Sequence, residues 1–199
     1  AQTDLTHMLT GVGNNYVIQE PIRQHPSLKR LNPDSVCTIR IVSLFLDGKV
    51  SIPYAAMRVG GSGAVAVAYG SGGYITEILE DGHLCPRVLH DCGDYEGGVW
   101  IDGVADGLYD RNFIVPSMDR VRDEVQRIHP RLGHFRWLGW DFTIDEAGDP
   151  VMIEFAVCPG TVTSQLPVCK PIFGDYTEQI LEDYFLHRKL EQERLPWLG

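Results

Sequence analysis

Apolar residues in this chain recur mostly with the period of a strand, in short runs bounded by turn residues. Val36 to Leu46 (VCTIRIVSLFL) predicts a long strand, Asp47-Gly48 a tight hairpin turn, and Lys49 to Val59 the returning strand. Tyr16 to Glu20 (YVIQE) predicts a short strand stopped by Pro21, and Tyr74 to Leu79 another that ends at Asp81-Gly82. Trp137 to Ile144 and Val151 to Phe155 predict a hairpin folded about DEAGDP at 145–150. Helical spacing is confined to a few places. Val121, Val125 and Ile128 recur at i, i+4 and i+7 over 118–129, with Ser117 offering an N-cap, Asp119 in the first turn and Pro130 beyond the end. Ile180, Leu181, Tyr184 and Phe185 carry a C-terminal helix over 176–193, and SLKRL at 27–31 suggests a helical turn. Residues 85–116 are rich in Gly and Asp and read as a surface excursion; 157–171 reads as a loop. Antiparallel hairpins with separate helices predict an α+β fold, a sheet covered on one side.

Length and composition narrow the class. At 199 residues, 44% of them hydrophobic, the chain can bury a core of its own. A net charge of -10 excludes the basic stripe that nucleic acid or an anionic membrane surface needs. No apolar run reaches about 18 residues, and no signal peptide is evident. The odd number of cysteines, 5, at scattered positions fits reduced thiols and a cytoplasmic location. A start at Ala1 suggests a piece of a longer protein.

Several residues could carry chemistry. In the 137–155 hairpin, a register with Ile144 opposite Val151 sets Asp141 opposite Glu154 on one face. Facing carboxylates repel unless a cation lies between them. A hard divalent ion such as magnesium would take that pair; the bland alternative is one exposed carboxylate. Arg40 and Arg58 interrupt apolar strands and need anions, either those carboxylates or phosphate. Tyr16 to Ile22 is either a plain edge strand or a linker offering backbone groups to a planar base. His83, Cys85, His90 and Cys92 form a set of soft ligands suited to zinc, at a spacing of no common zinc module. The glycine pairs at 60–61 and 72–73 are turns, or cradles for phosphate.

Taken in order, YVIQEPIRQHPSLKRLNPDSVCTIRIVSL, AAMRVGGSG, GSGG, the helix, LGWDFTI and IEFAVCPGTVTSQ resemble the catalytic half of the sugar-transfer-associated ATP-grasp family, from about Tyr16 to Gln165. The resemblance implies an ATP-grasp-like antiparallel sheet with flanking helices over 1–199, the C-terminal catalytic portion of the fold without the upstream half that supplies phosphate-binding lysines. It implies ATP and Mg2+ as cofactors, with an unknown carboxylate as substrate, activated as an acyl phosphate for attack by a nucleophile. Gln19, Glu20, Pro21 and Ile22 then match the adenine-contacting hinge, Arg40 and Arg58 the phosphate-facing arginines, and Asp141 and Glu154 the magnesium carboxylates. Gln165 matches a glutamine after Pro159-Gly160. Three departures remove polar groups: Ala156 stands where the family has Asn, Val67-Ala68 where it has Asp-Asn, and Cys37-Thr38 where it has Asn-Thr. They leave open a degenerate ATP-grasp fold serving as a non-catalytic binding module. An incomplete grasp would also expose apolar surface and invite a homo-oligomer or another partner chain.

Overall fold

The β1 (Thr38–Leu46) and β2 (Lys49–Val59) hairpin forms as its sequence predicts. Asp47 and Gly48 both hold positive φ, at 50° and 74°, which is the twist a two-residue hairpin turn requires. The continuous apolar run of β1 places it at the sheet's interior, buried on both faces. In this computed structural model, which describes residues 17–63, 72–90 and 98–194 (side chains excepted at 161–163 and 187–194), seven antiparallel strands lie in the order β5-β4-β3-β2-β1-β6-β7. The others are β3 (Tyr74–Ile78), β4 (Leu84–His90), β5 (Val99–Asp102), β6 (Trp137–Ile144) and β7 (Pro150–Ala156). The helices are α1 (Pro26–Leu31), α2 (Met118–Ile128), α3 (Thr161–Val168) and α4 (Thr177–Arg194). The predicted turn at 11–15, Tyr16, the stretch 64–69 with Val67 and Ala68, and Cys92 lie outside the described residues.

One face of the sheet carries the main core. Ile39, Ile41, Met57, Trp140, Phe142 and Ile144 point there and meet Leu28 of α1 and Val121 and Val125 of α2. A buried polar chain runs through this core. Trp140 Nε1 donates to Ser43 Oγ (2.6 Å), Ser43 Oγ meets His129 Nδ1 (2.7 Å), and His129 Nε2 meets the Phe135 carbonyl (2.9 Å). A carbonyl only accepts, so Nε2 carries the proton and Nδ1 accepts from Ser43. Burial holds the His129 pKa below its ordinary value, consistent with that neutral ring.

The opposite face is covered too, against the one-sided expectation. Val42, Tyr54, Ala56 and Ile75 form a smaller cluster there with Ile172, Val168 and Phe173. The covering chain is 157–171, predicted as a loop, which contains α3 lying across β2, β3 and β4. Eight residues with Pro167 among them carry too little periodicity to reveal a helix.

Other expectations change as well. Residues 85–116 contain β4 and β5, and Val88, Tyr109 and Val115 are buried, so this stretch extends the sheet rather than leaving it. Pro86 and Arg87 hide the alternation of β4, and β5 is only four residues long. No strand forms over residues 17–20. Ser117 does precede α2, but with φ 53° its hydroxyl donates to the Gly148 carbonyl (2.7 Å) instead of capping the helix. Among the described residues no helix is long and apolar enough to cross a membrane.

Candidate functional site

The second face is where charge enters the sheet. Glu77 of β3, Ala56 of β2, Arg40 of β1, Asp141 of β6 and Glu154 of β7 form one transverse row, each opposite the next. Arg58 lies two residues along β2 from Ala56 and opposite Thr38. The predicted opposition of Asp141 and Glu154 is present, by a route different from the one expected. Ile144 pairs with Pro150, not Val151, so the turn starts the ladder one residue off. A register shift between Asp141 and Phe142 leaves Ile153 as the extra residue and restores Asp141 to Glu154.

Arg40 and Asp141 form a largely buried ion pair. Nη2 donates to Oδ2 at 2.7 Å, and Nε lies 2.6 Å from Oδ1. The second contact is off the N–H axis, so both Nε and Oδ1 lack a hydrogen-bond partner and the contact is electrostatic. Thr143 Oγ1, on the same face, is also buried without a partner. Burial raises the Asp141 pKa against the opposing pull of Arg40 and Arg58, and Glu154 adds to the rise. Arg58 has no carboxylate within ion-pair distance among the described residues. Gly139, beside Asp141 on this face, leaves room for Pro159: a Cβ there would lie 2.7 Å from the proline ring and 3.3 Å from Arg40 Nη1. The chain leaving β7 is thereby pinned over the arginine.

The structure separates the other candidates. Val17 to Pro21 are exposed, Ile22 is half-buried, and none of them pairs in a strand. Gln24 anchors this segment to the end of β6 through a bridge to Asp145. Its amide donates to the Asn32 and Ser35 carbonyls and accepts from the Cys37 N–H. Gln19, Glu20, Pro21 and Ile22 thus keep their backbone groups out of the sheet while a fixed network holds the segment's end. Cys37 points into the core, where burial pushes its thiol up to about 12, so this departure takes nothing from the charged face. Ala156, opposite Gly139, does leave that face without an oxygen. Gln165 is committed to the fold, its Oε1 accepting from the Ile172 N–H (3.0 Å).

Among the described residues, which do not include Cys92, the expected zinc ligands do not come together. His83 and His90 flank β4 at a separation of about 23 Å for an extended strand, and His83 turns to Asp81 (3.1 Å). Among the described residues no three His, Cys, Asp or Glu side chains converge as metal ligands. Asp141 and Glu154 are a pair, and the buried Oδ1 of Asp141 accepts no hydrogen bond although Arg40 Nε lies 2.6 Å away. That donor set fits magnesium, which needs one or two protein carboxylates and takes its remaining oxygens from phosphate and water.

The sequence pattern did not single out Tyr54, Glu77 or Lys170. Tyr54 is almost wholly buried on the charged face, where Arg58, Arg40, Asp141 and Glu77 are its charged neighbours. Lys170 Nζ pairs with Glu77 Oε1 at 2.7 Å. Pro53 was the available signal: a proline within a central strand marks a place where the ladder is broken.

A family model described as sugar-transfer associated ATP-grasp matches residues 5–179. A search of curated proteins found no match.

Proposed function

This chain belongs to the sugar-transfer-associated ATP-grasp family, and on that premise we propose that it is an ATP- and magnesium-dependent ligase that activates a carboxylate as an acyl phosphate. The observation that carries the proposal is the row of Arg40, Asp141 and Glu154 beside Arg58. Two carboxylates and two arginines side by side on one face of the sheet suit a polyphosphate with its cation better than they suit the fold's stability.

Asp141 and Glu154 would hold the magnesium. Bound there, the ion supplies charge neutralisation to the nucleotide phosphates. Arg40 favours the ionised form of Asp141 against the effect of burial, and their pairing fixes where that carboxylate points. Arg58, without an ion-pair partner among the described residues, would face the negative charge of the transferring phosphoryl group. The γ-phosphoryl group leaves ADP for a substrate carboxylate oxygen. A nucleophile then forms a bond to the acyl carbon as the C–O bond to phosphate breaks. Gln19, Glu20, Pro21 and Ile22 would offer main-chain groups to the adenine. Reduced cysteines and ATP dependence together fit a cytoplasmic location.

Ala156 favours one other reading, a nucleotide-binding module without turnover. Calorimetric titration of ATP with and without magnesium, followed by ADP release, separates the two. Magnesium-dependent binding with ADP release that Asp141→Asn abolishes supports the ligase. Metal-independent binding without product supports the module.

A further inference from the structure

The sheet opens between β2 and β3. Their ladder spans only Ala56–Val59 against Tyr74–Glu77, while β2 continues along β1 as far as Lys49. Over Ile52 to Ala55, β2 therefore turns an unpaired edge toward the end of β3. Pro53 explains the opening. It has no N–H to donate, and it sits where the β1–β2 register shifts between Val42 and Leu44. The gap holds a cavity of about 560 Å³. It reaches from Arg122 and Gln126 of α2 on one side of the sheet to Lys170 on the other.

Three features of its lining point to a ligand. Tyr54 is 3% exposed as a residue and lines the cavity, and its phenol oxygen, with no hydrogen-bond partner among the described residues, is not sealed off. A phenol held in a mostly buried wall with its O–H uncommitted is placed to hydrogen-bond a group that enters the cavity. Glu77 lies on the same transverse row as Arg40, two strands away, or about 10 Å. Tyr54 stands between them, with Arg40, Asp141 and Glu77 all among its charged neighbours. Through Tyr54 and Glu77, one wall of the cavity adjoins the row that carries Arg40 and Asp141.

The Lys170–Glu77 pair sets the class of ligand. The Lys170 side chain is 64% exposed and that of Glu77 19% exposed. A pair of this kind is held weakly and can be parted. Once parted, Lys170 reaches water, but Glu77 stays in a partly desolvated wall and needs a new cation. A ligand bearing only a carboxylate would leave Glu77 unpaired. One bearing an amine satisfies Glu77, and one that also bears a carboxylate satisfies Lys170.

We propose that the cleft between β2 and β3 binds an amino-acid-type zwitterion, its ammonium on Glu77 and its carboxylate on Lys170, with Tyr54 hydrogen-bonded to it. This rests on the ligase reading only for its role as a second substrate; the binding itself does not require ATP. The test is ligand-observed NMR on the full chain with a pool of proteinogenic amino acids, followed by titrations of the strongest binder, ethylamine and acetate. ATP with magnesium is titrated in parallel. Binding in the order amino acid, ethylamine, acetate is expected. Glu77→Gln should weaken the amino acid by at least about tenfold and leave ATP affinity as in the unaltered chain. Tyr54→Phe should weaken it to a smaller degree. Binding of no amino acid, with or without ATP and magnesium, overturns the proposal, as does acetate binding as well as the amino acid, or Glu77→Gln binding undiminished. Amino-acid binding without any ATP binding upholds the cleft and removes the ligase reading; ATP binding with an empty cleft does the reverse.

Discussion

The two faces of the sheet are made by the same strands and obey different rules. On β6, Leu138, Trp140, Phe142 and Ile144 turn to the face under α2, while Gly139, Asp141 and Thr143 turn to the other. The first face is nearly closed: its polar chain from Trp140 to Phe135 has every donor and acceptor matched, and the Tyr74 hydroxyl is the buried group of that core without a hydrogen bond among the described residues. The second face is unfinished. Oδ1 of Asp141, Nε of Arg40 and Oγ1 of Thr143 are buried without hydrogen bonds, and Arg58 lacks an ion-pair partner among the described residues. Most buried polar groups in folded proteins are hydrogen-bonded, and among the described residues three neighbouring exceptions fall on this face, whereas those of Tyr74, His83 and Trp137 are scattered. The contrast teaches that one face holds the fold and the other has been left for binding.

Substitutions that should behave differently on the two faces test this. The largest effect belongs to the closed face: Trp140→Ala should cost about 3–5 kcal/mol, read as a lowered midpoint in chemical unfolding. A loss under about 1 kcal/mol would mean that this core is not what holds the sheet together. On the unfinished face, Arg40→Met should cost about 3 kcal/mol, because it leaves Asp141 buried without its counter-ion. Replacing both partners, Arg40→Met with Asp141→Leu, should return most of that stability while ATP turnover stays absent. If the double variant is no more stable than the single one, the pair is not the source of the loss.

A smaller effect follows pH. The folded pKa of His129 lies below its ordinary value of 6.5, so protonation favours the unfolded chain. The stability from a neutral His129 is complete above that ordinary value and is lost as pH falls through the folded one. Melting temperature should therefore drop as pH is lowered from neutrality, and His129→Gln should flatten that part of the curve. A parallel curve for the variant would assign the drop to other groups. The smallest effect on stability belongs to Glu154→Gln. Glu154 is exposed, so the change should stay within about 0.5 kcal/mol. Magnesium dependence of ATP binding should weaken all the same, and unaltered dependence would remove Glu154 from the metal site.

Much of this contrast was legible in the sequence. The β1–β2 hairpin is written in Asp47-Gly48, and the opposition of Asp141 and Glu154 follows from strand alternation about one turn. α2 is visible in the spacing of Val121 and Val125. Other parts are set by contacts far apart in the chain. β4 and α3 have weak patterns of their own and acquire their form by packing on strands already present. The cleft depends on where β2 loses β3, which a proline hints at but only the ladder decides. The Gln24 network joins residues 24, 32, 35 and 37 through side chains whose types alone predict loops.

The bulge at Ile153 has a consequence for length variation. Deleting that residue would straighten β7 and still bring the glutamate opposite Asp141, since the ladder from the turn would then run without a slip. The spacing between the two carboxylates along the chain can therefore change by one without altering which residues meet across the strands. Related chains need not share that spacing to share the pair, and an alignment that forces equal lengths here would misplace one of its two acids.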